Sequence, residues 1–305
     1  MIMEGHIPVL KSTILETFKS INGCILDGTF GGGGHTQALL EQNDKVSIIG
    51  LDVDPEAQER SQIIQSKFLH RFVFFPINFS ELASLNKNFD GVLLDLGVSS
   101  FQLDDAHRGF SFRNEGPLDM RMNPHVGLSA KEFLQKASPE ALTQAIRDYG
   151  EEPQWRSVVR SILKYREVAT WETTTSFVKF LDKNTTLHRS QKPGIHFATR
   201  VFQGLRIAVN DELNHLSKGL DAAFRALNPQ GILAVISFHS LEDRIVKQHF
   251  YDWCGRSLNH YDNRPQQLRS VQAELLSRKP IMATEQEISE NPRARSAKYR
   301  ILKKL

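Results

Sequence analysis

Ile25-Leu26-Asp27-Gly28-Thr29-Phe30-Gly31-Gly32-Gly33-Gly34-His35 passes from an apolar run through an acid into five glycines within seven positions. Glycine loses more conformational freedom on folding than any other residue, so a cluster this dense must be required by something. A strand-to-helix turn where the backbone comes close to a ligand accounts for it. A second apolar run, Lys45-Val46-Ser47-Ile48-Ile49-Gly50-Leu51-Asp52, also ends in an acid. Asp52 lies at about the offset where a carboxylate holds a ribose hydroxyl pair.

Further strands are expected at 71–75, 89–96 and 231–238, with helical lengths between the first four. Near-continuous apolar strands alternating with helices predict a parallel sheet covered on both faces. A helix is expected over 9–19, and another over roughly 199–227, stopped by Asn228-Pro229. The alternation in 297–303 suits a half-exposed strand near a sheet edge. The interval 104–198 breaks this rhythm. It holds helical spacing at 129–149 and 153–168, and Ser138-Pro139 fits a helix start. It reads as an inserted helical domain.

Two phosphate-binding patterns fail on this sequence. The dinucleotide fingerprint needs glycine at i, i+2 and i+5, but counting from Gly31 or Gly32 reaches Thr36 or Gln37. The nucleotide P-loop needs Lys after its last glycine, and Gly33 is followed by Gly34 and His35. What remains is an adenosine-type ligand without a pyrophosphate. S-adenosylmethionine fits best, with the glycine loop at its amino-acid portion and an acid at its ribose.

Composition sets the bounds. The chain has 305 residues, 40% hydrophobic and 24% charged, which suits one large or two ordinary globular domains. No apolar run reaches membrane-spanning length, and Glu4 without an apolar core behind it predicts a cytoplasmic address. Cys24 and Cys254 are too few for a disulfide framework or a four-ligand zinc site, and no metal is expected. A net charge of +3 tolerates nucleic acid without demanding it. No dimer face is legible.

A second group of candidates follows the fourth strand. Asp95 falls at its carboxyl end, where open parallel sheets bind ligands. Ser99 and Ser100 either line an acceptor loop or cap the next helix. Arg108, Arg113 and Arg121 interleave with Phe110 and Phe112. Arginines for phosphate and rings for an unstacked base would hold single-stranded RNA; the same residues equally suit a structured loop with its own core and ion pairs. His239 ends the later strand, where it could reach an acceptor base, while Ser240-Leu241-Glu242-Asp243 reads as a helix cap. Arg200, Gln203 and Arg206 share one helix face, a solvated stripe by itself and a guide for RNA phosphate if it lies beside the crevice. Arg293, Arg295, Lys298 and Arg300 form the densest basic run, which is more often a solvated face.

These segments together resemble the bacterial small-subunit (16S) ribosomal RNA cytosine-N4 methyltransferases, the MraW/RsmH family. The resemblance is carried by His6–Leu10, Asp27–His35, Leu94–Ser100, Arg108–Phe112, Gly116–Met122, Tyr149–Glu152, Ala198–Arg200, Ser237–Arg244 and Asn291–Ala297. It departs from the family at Gly32, Phe101 and Phe197. It implies a Rossmann-like class I S-adenosylmethionine methyltransferase sheet (1–103 and 199–305) with an inserted all-helical substrate-recognition domain (104–198). It further implies cofactor contacts at Gly33, Gly34, His35, Asp52, Phe79, Asp95 and Gln102. The implied acceptor is a cytidine of 16S rRNA in the small ribosomal subunit. A same-fold enzyme acting on DNA or another RNA is the alternative. Asp95, with Ser99 beside it, is the expected acceptor for the amine protons. The Asp/Asn-Pro-Pro-aromatic tetrapeptide of many amino-methyltransferases is missing. Attack through ring carbon 5 would need a cysteine nucleophile.

Overall fold

The computed structural model describes residues 7–187, 196–257, 265 and 268–305. His6 of the first motif and residues 188–195 of the expected insertion lie outside the described residues. The described chain divides into two compact units, 1–97 with 213–305, and 98–212.

The first unit opens with α1 (Lys11–Phe18), β1 (Gly23–Asp27), α2 (Gly34–Gln42), β2 (Val46–Leu51), α3 (Pro55–Phe68), β3 (Phe72–Phe75) and β4 (Phe89–Asp95). Leu26, Ile49, Val92 and Leu94 fill one apolar cluster, and Ile25, Ile48 and Leu93 fill a second. Side chains alternate across a strand, so continuous apolar runs bury both faces. That is why these strands pair in parallel. Pro55 opens α3 in the position where its missing N–H costs nothing, and the Asp54 carboxylate accepts from Glu56 N–H.

The second unit holds α4 (Ser100–Asp104), α5 (Ala130–Lys136), α6 (Pro139–Thr143), a π turn at Gln144–Tyr149, α7 (Trp155–Tyr165), α8 (Thr174–Asn184) and α9 (Thr199–Val209). Its own core gathers Leu134, Leu142, Ile146, Val158, Ile162, Trp171, Phe177, Val201 and Leu205. The helix expected over 129–149 is interrupted at Ala137, because Pro139 can only begin a new one, with Ser138 as its cap. The unit takes in α4 and α9, which lie outside the expected 104–198. A Cβ on Gly204 would run into the Ala145 carbonyl, so only glycine lets α9 lie this close to the π turn.

The single helix expected over 199–227 is two, α9 and α10 (Glu212–Ala226). Asp211 has φ +49, and Asn210 leaves the helix to pin another loop. Its amide donates to the Met120 carbonyl at 2.8 Å and accepts from Met122 N–H at 2.7 Å. The chain then returns through β5 (Leu227–Ser237), α11 (Ser240–Trp253), β6 (Ala273–Leu275), β7 (Ile281–Met282), α12 (Glu285–Glu290) and β8 (Lys298–Lys304).

The sheet order is β3-β2-β1-β4-β5-β8-β6, with β7 also on β8 and β8 antiparallel to β5. β8 lies one strand in from the edge, near it as expected, but it is not half-exposed. β6 and β7 cover it, and Tyr299 and Leu302 are fully buried. Both covering strands are too short to show periodicity. Arg300 and Lys298 are likewise not a solvated basic face, since both meet the Asp243 carboxylate, at 2.7 and 3.2 Å. No helix among the described residues is long and apolar enough to cross a membrane.

Candidate active site

Strand order reverses between β1 and β4, which places the carboxyl ends of β1, β2 and β4 around one crevice. The glycine loop closes it. Gly28 N–H donates to the Leu93 carbonyl and Phe30 N–H to the Leu51 carbonyl, both at 2.9 Å, tying the loop to both neighbouring strands. Gly33 sits at φ +74 ahead of α2, and a Cβ there would come within 2.6 Å of the Phe30 ring. A Cβ on Gly34 would come equally close to Pro8. These two glycines are thus required by packing as well as by any ligand. No side chain caps α2, which leaves its first N–H groups without a side-chain partner, and such a helix start favours an anion.

Three carboxylates line the strand ends. Asp27 is buried and accepts from the Thr36 hydroxyl at 2.7 Å and Thr29 N–H at 3.3 Å; burial still pushes its carboxyl above the usual range. Asp52 accepts from Gly31 N–H at 2.7 Å and Asp54 N–H at 2.9 Å, so it shapes the very loop it faces. Burial raises it to about 6. Each Asp52 oxygen keeps a second lone pair for another donor.

Asp95 is fixed through its backbone, whose N–H donates to the Thr29 hydroxyl at 2.6 Å. One carboxylate oxygen lies 3.4 Å from His35 Nε2; the other is buried with no hydrogen-bond partner. A buried unpaired acceptor is costly and is expected where a ligand supplies the donor. Phe79 follows β3 and stays half-buried over Gly219 of α10, where any Cβ would meet its ring. Thr29, Thr36 and Gly219 carry none of the patterns that singled out their neighbours. The two threonines at least flank the glycine run.

His239, not Ser240, is the cap of α11. Its imidazole accepts from Glu242 N–H while the Glu242 carboxylate accepts from Phe238 and His239 N–H. The imidazole Nδ1 is thereby committed to its own helix, while the buried Nε2 has no hydrogen-bond partner and lies 3.1 Å from a Glu242 carboxylate oxygen. Cys254 is pushed up to about 11 by burial, and Cys24 is also raised. Both shifts oppose a thiolate nucleophile.

The remaining candidates belong to the helical unit. Ser99 caps α4 in a capping box: its hydroxyl accepts from Gln102 N–H, and Gln102 Oε1 accepts from Ser99 N–H. Arg108 is buried, donates to the carbonyls of Arg121 and Met122, and packs against a buried Phe110. Arg121 grips Asp119 through two nitrogens, at 2.8 and 2.6 Å. Phe112 sits against Phe202 and His196. Arg200 is half-buried at the start of α9, and Arg113 is exposed. Gln203 donates to the Tyr149 carbonyl and Arg206 pairs with Glu212, so the 200/203/206 face is not a free stripe.

The model of one protein family, described as the MraW methylase family, matches residues 3–305. A protein of Roseobacter denitrificans named ribosomal RNA small subunit methyltransferase H is 46% identical over 97% of this chain and 89% of its own length. One of the same name from Heliobacterium modesticaldum is 41% identical over 98% of each chain. Another, from Gluconobacter oxydans, is 42% identical over 99% of this chain and 94% of its own.

Proposed function

The chain belongs to the MraW methylase family, and from that premise we propose that it transfers a methyl group from S-adenosylmethionine to the 4-amino group of a cytidine in small-subunit (16S) ribosomal RNA, in the cytoplasm. Its sheet is that of a class I methyltransferase. The observation that carries the chemistry is the buried, unpartnered Asp95 oxygen beside the open end of α2 and the Asp52 carboxylate.

S-adenosylmethionine supplies a methyl sulfonium, already a strong electrophile. The chain's task is therefore mainly positioning. The N–H groups of Gly34 and His35 at the start of α2 suit the amino-acid carboxylate. Asp52 offers lone pairs to ribose hydroxyls, and Phe79 gives an apolar wall for adenine. Gln102 and Ser99, in the capping box of α4, are proposed polar contacts on the acceptor side.

A cytosine amine delocalises its lone pair into the ring and is a poor nucleophile. Asp95 accepts a hydrogen bond from that amine through its unpartnered oxygen, favours a pyramidal nitrogen and takes the proton as the N–C bond forms. Attack through ring carbon 5 has no support, because both thiols are raised away from the thiolate. The helical unit contributes RNA recognition. Within it Arg113 and Arg200 are better placed for phosphate than Arg108 or Arg121, whose guanidinium groups bind their own loop.

The test is methyl transfer from labelled S-adenosylmethionine into small ribosomal subunits from cells lacking the native enzyme, followed by nucleoside mass analysis. The expected product is a cytidine methylated on its 4-amino group. Label in DNA or in another RNA, with none in small-subunit RNA, would overturn the substrate.

A further inference from the structure

Helix α7 carries two faces of opposite character. Val158, Val159 and Ile162 point into the helical core. Arg156, Arg160 and Lys164, spaced four apart, lie on the opposite side and are all exposed. At 1.5 Å per residue they form a single row with a cation about every 6 Å. The segment Trp155–Tyr165 contains no acid, and none of the three cations is ion-paired among the described residues. Four other cations of the same unit are neutralised, Arg121 by Asp119, Lys131 by Glu172, Lys136 by Glu132 and Arg147 by Asp148; in α7 three successive ones on one face are not.

Helix stability accounts for only part of the row. Lys164 in the last turn suits the helix dipole, but Arg156 sits in the first turn, where the dipole disfavours a cation. Nor are its two end members loose. The Arg156 guanidinium lies 4.4 Å above the Trp155 ring and the Lys164 ammonium 4.9 Å above Tyr165. A cation already ordered on an aromatic face loses less freedom when it binds an anion.

We propose that this face of α7 is a docking surface for the phosphate backbone of RNA. A straight row of unneutralised cations without acceptors or an apolar groove suits a polyanion that repeats its charge and reads no base. The inference rests on the reading of the chain as an RNA methyltransferase. It assigns that activity a sequence-independent grip on the helical unit.

The experiment compares the full chain with an Arg156→Ala/Arg160→Ala/Lys164→Ala variant in binding an unmethylated small-subunit rRNA transcript from 50 to 300 mM salt. Three lost phosphate contacts should lower the magnitude of the slope of log Kd against log salt by about 2. Affinity near 150 mM salt should fall at least tenfold. The cofactor-induced rise in Tm should stay unchanged, and kcat at saturating RNA should stay within twofold. An Arg156→Lys/Arg160→Lys variant keeps the charges and should retain the wild-type slope, which separates lost charge from lost folding. An unchanged slope in the triple variant overturns the proposal. So does unchanged affinity for naked RNA with weakened methylation of subunits, which would assign the row to an acidic protein face. Wild-type protein that methylates no RNA would sink the functional reading instead, and is scored separately.

Discussion

The crevice at the strand ends and the Arg/Phe loop of the helical unit are both rich in charge, and they use it in opposite ways. In the loop, Arg108 and Arg121 spend their donors on nearby carbonyls and on Asp119. In the crevice, Asp95 holds one buried oxygen with no partner, and Asp52 keeps lone pairs beyond its two backbone donors. Burying a polar group is costly unless it is paired. Unspent capacity at the strand ends leaves room for a ligand to complete the structure, and spent capacity in the loop marks architecture.

The sharpest way to break this contrast is Asp95→Asn, which keeps shape and removes the proposed base. Turnover should fall by about 10²- to 10³-fold, with the S-adenosylmethionine Kd changing far less. Wild-type turnover would move the proton acceptor elsewhere. Next comes Arg108→Ala. Two carbonyls lose a charged donor inside the unit, so stability should fall by about 3 kcal/mol, read by chemical denaturation. If Arg108 serves RNA alone, stability holds and only RNA affinity drops.

A smaller effect tests Asp52. Its folded pKa of about 6 lies above the unfolded value, so ionising it costs stability. That contribution is favourable at low pH and is lost as pH rises toward 6. In the proposed site ribose hydroxyls donate to the ionised form, so cofactor binding should run the other way. The Kd should be about tenfold weaker at pH 5 than at pH 7.5, and Asp52→Asn should flatten that profile. The smallest change is Arg113→Ala. The side chain is exposed, and stability should move by no more than about 0.5 kcal/mol. Any effect belongs to RNA binding.

Much of the sheet was legible, because strands buried on both faces announce themselves as apolar runs. The expected 24–27, 45–52, 71–75 and 89–96 became β1 to β4 with ends shifted by a residue or two. β8 was misread as half-exposed, since its cover comes from strands of three and two residues. The cap of α11 was placed one residue late, because histidine seldom caps and only the geometry shows it taking that role. The break at Asn210 was hidden, because its cause is a loop some ninety residues away.

By itself the sequence determined the alternation of strands and helices, the glycine turn and the acids at the strand ends, because local propensity and burial period are written in consecutive residues. Tertiary structure alone decided which charges were spent. Whether Asp95 keeps an open oxygen, Arg108 donates inward, or Arg156, Arg160 and Lys164 stay unneutralised depends on partners brought near by folding. Hydrogen bonds and ion pairs act over a few ångströms of space, whatever the separation along the chain.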